Sequence, residues 1–144
     1  MTALMDDIMI SDKDTFDLTV YYKREGGVLF AVPGYTRIDA SPDMKDMKEL
    51  TVKMRQPDWQ TAKTAVRNNT MLISGRSVID HVSLRQSLFE MMAVSWNIVD
   101  AEGEPVALDL DSLGKTRPEI MRCFVEMLER KLVEQGIYHS IVNC

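Results

Sequence analysis

The chain has 144 residues, a formal net charge of −5 at neutral pH, and 45% hydrophobic beside 27% charged residues. This composition is that of an ordinary globular chain, and it excludes collagen-like, disulfide-scaffold and wholly disordered proteins. The acidic balance argues against broad electrostatic binding of nucleic acid, which needs a basic face. The longest uninterrupted apolar run, Val28 to Val32, is far shorter than the ~20 residues that span a bilayer.

Three strands are predicted in the first half of the chain. Phe16–Tyr22 alternates between apolar and polar residues, Gly26-Gly27 supplies a turn, and Val28–Val32 returns as the second strand of a hairpin. Ala40–Lys48 is a polar connector that leaves room for a short helical turn. Leu50–Arg55 alternates again and is the third predicted strand.

Helical signals follow. Pro57–Asn68 is predicted as a helix with Asp58 in its first turn, where a negative charge is favourable. Met71-Leu72-Ile73 is a short apolar run ending at Ser74-Gly75. Asp80 is expected to cap a helix that runs to Val94 or Trp96, with a core stripe at helical spacing: Leu84, Leu88 and Met91.

The last predicted helix is the best defined. Thr116 and Glu119 fit a capping box, and Pro118 suits the first turn. Gly136 is expected to terminate this helix, because glycine adopts positive φ at little cost. The tail Tyr138–Cys144 is expected to be a short extended segment.

The order of strands first and helices second predicts an α+β fold. It would consist of an N-terminal antiparallel β-hairpin plus a third strand, followed by a C-terminal helical half. We expect one domain over 16–144, preceded by a flexible acidic arm over 1–15. The acids of this arm stand where a secretory signal would carry bases.

None of the catalytic or metal-binding motifs is complete. Gly114-Lys115-Thr116 resembles the end of a phosphate-binding loop, but Asp109 stands where that loop needs a glycine. A calcium loop opening at Asp109 fails at Ile120, where a bidentate glutamate belongs. Two isolated histidines, His81 and His139, are too few for a metal site. We therefore expect no cofactor, no metal and no enzymatic activity; a small enzyme with an unrecognised site is the least favoured reading.

The two cysteines exclude a disulfide framework. Cys123 lies within an apolar helical pattern and is expected to be buried and inert, whereas Cys144 is expected to be exposed.

Candidate partner-binding residues are sought among the methionines and tryptophans. The chain has eleven methionines, whose flexible side chains fill cores and also make adaptable binding surfaces. Met92 and Trp96 are four apart on the predicted helix, so they would share a strip bordering a partner surface. The alternative is that Trp96 closes the core beneath the turn Asp100–Pro105. Trp59 is a further partner-binding candidate, although a tryptophan near a helix start is more often a core anchor.

Two stretches resemble a known family. Leu50–Trp59, a strand followed by an Arg-x-Pro step and a helix, is similar to small tail-assembly proteins of bacteriophages. Trp96–Leu108, followed by Leu113 and the Pro118 helix, resembles the helix–Trp–"VDxxGxPVxL"–helix pattern of phage tail assembly chaperones. Small phage baseplate assembly proteins share this broad plan.

The resemblance implies a non-enzymatic, chaperone-like protein that binds a tail partner, such as the tape-measure protein, in the host cytoplasm during assembly. From the composition and the short apolar runs we expect no nucleic-acid or membrane partner, and homo-oligomerisation stays open. The alternative is a structural baseplate or tail-hub component that remains in the virion tail.

Overall fold

The computed structural model describes residues 2–35 and 46–144. The predicted connector over 40–48 lies mostly outside the described residues. The described chain forms a four-stranded antiparallel sheet, a separate two-stranded sheet and several helices. The strands are β1 (Thr15–Glu25), β2 (Val28–Pro33), β3 (Lys48–Arg55), β4 (Thr70–Ile73), β5 (Arg76–Ile79) and β6 (Ala93–Trp96). The helices are α1 (Met5–Ile8), α2 (Trp59–Asn68), α3 (His81–Met92), α4 (Leu110–Gly114), α5 (Pro118–Glu134) and α6 (Ile137–Val142).

The main sheet has the strand order β2-β1-β3-β6 and confirms the predicted α+β fold. The hairpin and the third strand are the predicted ones, with bounds that differ by a few residues. The sheet gains a fourth strand, β6, which the sequence analysis assigned to the end of a helix. β6 pairs with β3 through Trp96 opposite Val52 and Ala93 opposite Met54.

Alternation along β1 and β3 places the apolar side chains on one face of the sheet. Leu18 pairs with Val52, and Val20 pairs with Leu50, so their side chains lie side by side. All four are buried. On the opposite face, the hydroxyl oxygens of Thr19 and Thr51 lie 2.9 Å apart.

α5 supplies most of the helical half of the core. Its apolar stripe packs on the buried face of β1 and β2, and its Phe124 ring lies 5.5 Å from the Phe89 ring of α3. Arg85 of α3 and Glu129 of α5 form an ion pair between the two helices. α3 and α5 are therefore held by apolar packing and by one charge-assisted hydrogen bond.

Gly34 marks a point of close backbone approach after β2. A Cβ atom at this position would lie 2.5 Å from the carbonyl oxygen of Thr19. Only glycine fits without a backbone shift. The next residue, Tyr35, stacks its ring under the Arg130 guanidinium of α5 at 4.2 Å.

The arm region is not wholly irregular. Residues Met5–Ile8 form the single helical turn α1, and β1 already begins at Thr15. The segment just before β1 is tied to the end of β3: Asp12 and Arg55 form an ion pair at 3.0 Å, and the Gln56 amide donates to the Asp14 carbonyl.

Three boundary predictions are corrected. α2 begins at Trp59, because Asp58 is its N-cap and accepts a hydrogen bond from the Thr61 amide at 2.8 Å.

The apolar run at 71–73 is the strand β4, and its unpredicted partner β5 follows a turn at Ser74-Gly75, where both residues have positive φ. The tail is the helix α6 rather than an extended segment, and Gly136, at φ 71°, separates it from α5 as a helix terminator should.

Candidate partner-binding cleft

The three predicted partner residues do not form one site. Met92 is the last residue of α3 and is only 2% exposed, so the prediction that it borders a partner surface is wrong. The chain leaves the helix at Ala93 and enters β6, so Met92 and Trp96 are not stacked one helical turn apart. Met91, expected in the core, is exposed instead, because the buried stripe of α3 follows another set of positions: Leu84, Leu88, Phe89 and Met92.

Trp59 lies on the surface at the start of α2. It is 68% exposed, and the Lys63 ammonium lies 4.1 Å from the centroid of its ring. Lys63 follows one turn later on the same helix, so the contact is a local cation–π pair. Trp59 is therefore not a core anchor, and it does not line the cleft described below.

Trp96 is half-buried at the end of β6. Its indole N–H donates to the Val106 carbonyl oxygen at 2.6 Å. The side chain thus closes the core beneath the Asp100–Pro105 turn, which was the alternative placement for this residue.

The Asp100–Pro105 turn is a compact, internally bonded hairpin. One carboxylate oxygen of Asp100 accepts from the amides of Glu102 and Glu104, at 2.9 and 3.0 Å. Val99 and Pro105 form a bridge, and the Val106 amide donates to the Ile98 carbonyl. This local network holds Val106 in position to accept from Trp96.

Asn97 fixes the loop over 97–106 to β3 through side-chain hydrogen bonds that were not predicted. Its side-chain oxygen accepts from the Thr51 amide at 2.8 Å, and its side-chain nitrogen donates to the Glu49 carbonyl at 3.2 Å. The amide side chain therefore continues the hydrogen bonding of β6 along β3 after the strand ends. No sequence signal distinguishes this asparagine from an ordinary turn residue.

α4 forms the opposite wall, and no helix was predicted at this point of the chain. Asp109 is its N-cap: the carboxylate accepts from the Ser112 amide at 2.8 Å, and the Ser112 hydroxyl oxygen accepts from the Asp109 amide at 3.0 Å. This reciprocal capping box, Asp-x-x-Ser, is readable in the sequence. The box predicted at Thr116 and Glu119 is wrong, because the Thr116 hydroxyl donates to the Ser112 carbonyl and Arg117 is the N-cap of α5.

These parts enclose a cleft of about 720 Å³, here called the Trp96 cleft. It lies at the end of the sheet that carries the β1–β2 turn, next to the start of β3. The loop over 97–106 and the junction of α4 and α5 form its other sides. Its walls are largely apolar and include Tyr22, Leu29, Trp96, Ile98, Val106 and Ile120.

Five charged side chains line the Trp96 cleft, and three of them are basic. Lys48, Lys115 and Arg117 line it, against the carboxylates of Glu49 and Asp100. Lys115 forms an exposed ion pair with Asp111 at 3.1 Å. Within the described residues, Lys48 and Arg117 take part in no ion pair, so both cations are available to an acidic partner.

Some of the polar side chains of the Trp96 cleft are engaged in internal hydrogen bonds. Of its three hydroxyl side chains, those of Ser112 and Thr116 donate to backbone carbonyls, and the third is the phenol of Tyr22. Among residues 2–35 and 46–144, no three His, Cys, Asp or Glu side chains are grouped closely enough to hold a metal ion.

Two further polar groups lie apart from the cleft. Burial raises the pKa of the Cys123 thiol, which faces the Ala31 carbonyl between α5 and β2. His81 Nδ1 and the Tyr138 hydroxyl are 2.8 Å apart, and burial raises the pKa of that tyrosine.

No helix in the described part of the chain is both long enough and apolar enough to cross a bilayer. Comparisons with models of protein families, with characterised proteins and with solved structures find no match to this chain.

Proposed function

We propose that this protein is a non-enzymatic bacteriophage tail assembly protein that binds a tail partner in the Trp96 cleft. The proposal is supported by the resemblance of Trp96–Leu108 to the tail assembly chaperone pattern, since that stretch forms one wall of the cleft. The observation that carries it is the combination of an apolar floor with cations that have no partner in the described chain. Such a site suits a segment with apolar anchors and acidic flanks.

An amphipathic helix is the partner element that this groove fits best. Helices bind grooves through apolar side chains spaced three and four residues apart, while flanking charges set orientation and association rate. A cleft of about 720 Å³ has room for two or three such side chains rather than for a whole domain. The resemblance implies an aggregation-prone partner such as the tape-measure protein.

The experiment is co-expression with the tape-measure protein encoded by the same phage, followed by affinity capture of a tagged copy. The test variant carries Lys48→Glu and Arg117→Glu, which reverse the two cleft cations that have no ion-pair partner in the described chain, without altering the apolar core. The matched control is Lys53→Glu, which reverses an exposed cation on the outer face of β3. We expect capture of the tape-measure protein by the wild type and the control, and at least about a tenfold loss with the double variant.

Equal capture by all three proteins would refute the cleft as the docking site. Failure of the wild type to bind any tail protein would refute the assembly function itself.

The proposed chaperone and the structural alternative differ in their location at the end of assembly. A chaperone acts in the host cytoplasm and is absent from finished particles, whereas a baseplate or tail-hub subunit is present at fixed stoichiometry. Mass spectrometry of purified particles decides between them. We propose the chaperone function. A fixed copy number of this protein in purified particles would overturn that proposal and support a structural baseplate or tail-hub subunit instead.

A further inference from the structure

The β4–β5 hairpin projects an apolar face with no partner in the described chain. Met71 pairs with Val78 and Ile73 pairs with Arg76, so these four side chains share one face of the two-stranded sheet. The three apolar members are between 39% and 52% exposed. An isolated two-stranded hairpin is marginally stable in water, and it gains stability when another element covers such a face.

The segment around α1 is a second apolar element that is exposed in the described part of the chain. Leu4, Met5, Ile8 and Met9 have the i, i+3, i+4 spacing of a one-turn stripe and are between 59% and 68% exposed. Asp6 and Asp7 lie beside this stripe in the same turn. The element is therefore apolar and acidic.

The two elements are complementary in charge. Residues 70–79 contain Arg76 and no acid, whereas residues 2–10 contain Asp6 and Asp7 and no base. Arg76 has no ion-pair partner within the described residues. An acidic apolar turn and an apolar hairpin face that carries Arg76 thus have complementary chemistry, and both are exposed in the described residues.

We propose that the chain self-associates head to tail: the Leu4–Met9 turn of one copy docks on the Met71/Ile73/Val78 face of the next copy, with its aspartates near Arg76. The contact joins two different surfaces, so it is heterologous, and repeated use yields a ring or a filament rather than a symmetric dimer. This association is independent of the Trp96 cleft and of the partner proposed for it.

The first test uses analytical ultracentrifugation at low salt to measure the mass of the species in solution as the protein concentration rises. The wild type is expected to pass from monomer to species of three or more copies as concentration rises. Two variants remove one surface each: Met5→Ser with Ile8→Ser for the turn, and Ile73→Thr with Val78→Thr for the hairpin face. Each is expected to sediment as a monomer. Leu72→Thr is the matched control, because Leu72 is 76% exposed but lies on the other face of the hairpin, and it should associate like the wild type.

Mixing the two defective variants distinguishes the proposed geometry from a symmetric one. One variant keeps an intact hairpin face and the other keeps an intact turn, so a 1:1 mixture is expected to form dimers that cannot grow further. A charge exchange gives a second check: Asp6→Lys with Asp7→Lys should abolish association, and adding Arg76→Glu should restore it at least in part.

Three results would overturn the proposal. The first is a wild-type chain that stays monomeric at every concentration. The second is that both surface variants still self-associate like the wild type. The third is a turn variant that still self-associates while the hairpin variant does not, since that pattern indicates hairpin-to-hairpin pairing. Circular dichroism of each variant shows whether its fold is intact before it is scored.

Discussion

Trp96 and Trp59 differ in what each indole contacts, and this difference yields a prediction. Trp96→Phe keeps most of the ring but removes the N–H that bonds to Val106, leaving a half-buried carbonyl without its donor. We expect the free energy of unfolding to fall by about 1–2 kcal/mol. Trp59→Phe alters an exposed ring with no such bond and should change the free energy of unfolding by less than ~0.5 kcal/mol. Urea unfolding measures both, and equal midpoints would contradict the assigned role of Trp96.

The failure at Met92 illustrates why site residues were harder to predict than the fold. Apolar spacing along α3 permits a helix that continues to Trp96, and nothing local forbids it. The helix ends because Ala93 pairs with Met54, a residue 39 positions earlier. Such long-range pairing leaves no local signature, so Met92 moved from the predicted surface into the core. The turn at Asp100–Pro105 was predicted correctly because Asp100 and Gly103 supply its hydrogen bonds and its positive φ within a few residues.

Three helices begin at an aspartate whose carboxylate accepts backbone N–H bonds: Asp58, Asp80 and Asp109. Hydrogen bonding by the Thr61 amide holds the pKa of Asp58 below its ordinary value, and the amides of Ser83 and Ser112 do the same for the other two. A pKa that is lower in the folded than in the unfolded state stabilises the fold above the unfolded value. That stability is lost as pH falls through the folded pKa.

Asp58→Asn tests this coupling at α2. Asparagine caps helices about as well as aspartate, so stability at pH 7 should change by less than about 0.5 kcal/mol. The amide does not titrate, so the variant should lose less stability than the wild type on acidification from about pH 5 to about pH 2. Urea unfolding across that range gives both profiles, and parallel curves would show that the Asp58 cap does not contribute to acid sensitivity.

Among the elements, length and periodicity decided which could be predicted. The β1–β2 hairpin, β3 and the longer helices carry several repeats of their pattern, and all were found. β5, α4 and α6 contain four to six residues each, too few to define a period. α4 was not predicted, but it could have been, because Asp109 and Ser112 have the spacing of a capping box.

For the molecule as a whole, the two thiols report on opening of the fold. Cys123 is buried between α5 and β2, and its raised pKa further disfavours the reactive thiolate, whereas Cys144 is exposed. We expect a thiol reagent at pH 8 to modify Cys144 rapidly and Cys123 at least ~10²-fold more slowly, since reaction there requires opening of the core. Cys144→Ser should abolish fast labelling, and denaturant should restore reaction at Cys123. Fast labelling in the folded Cys144→Ser variant would contradict this packing.

The pairing of β6 with β3 has a consequence for the order of folding. The β1–β2 and β4–β5 hairpins close over two residues, whereas joining Ala93 to Met54 closes a loop of about 40 residues at an entropic cost of roughly 3 kcal/mol. We expect the local hairpins to form first and β6 to add late, after α2 and α3 have begun to pack. The Trp96 cleft takes one wall from the residues that follow β6. An incompletely folded chain therefore lacks the cleft, and only a finished molecule can engage a partner there.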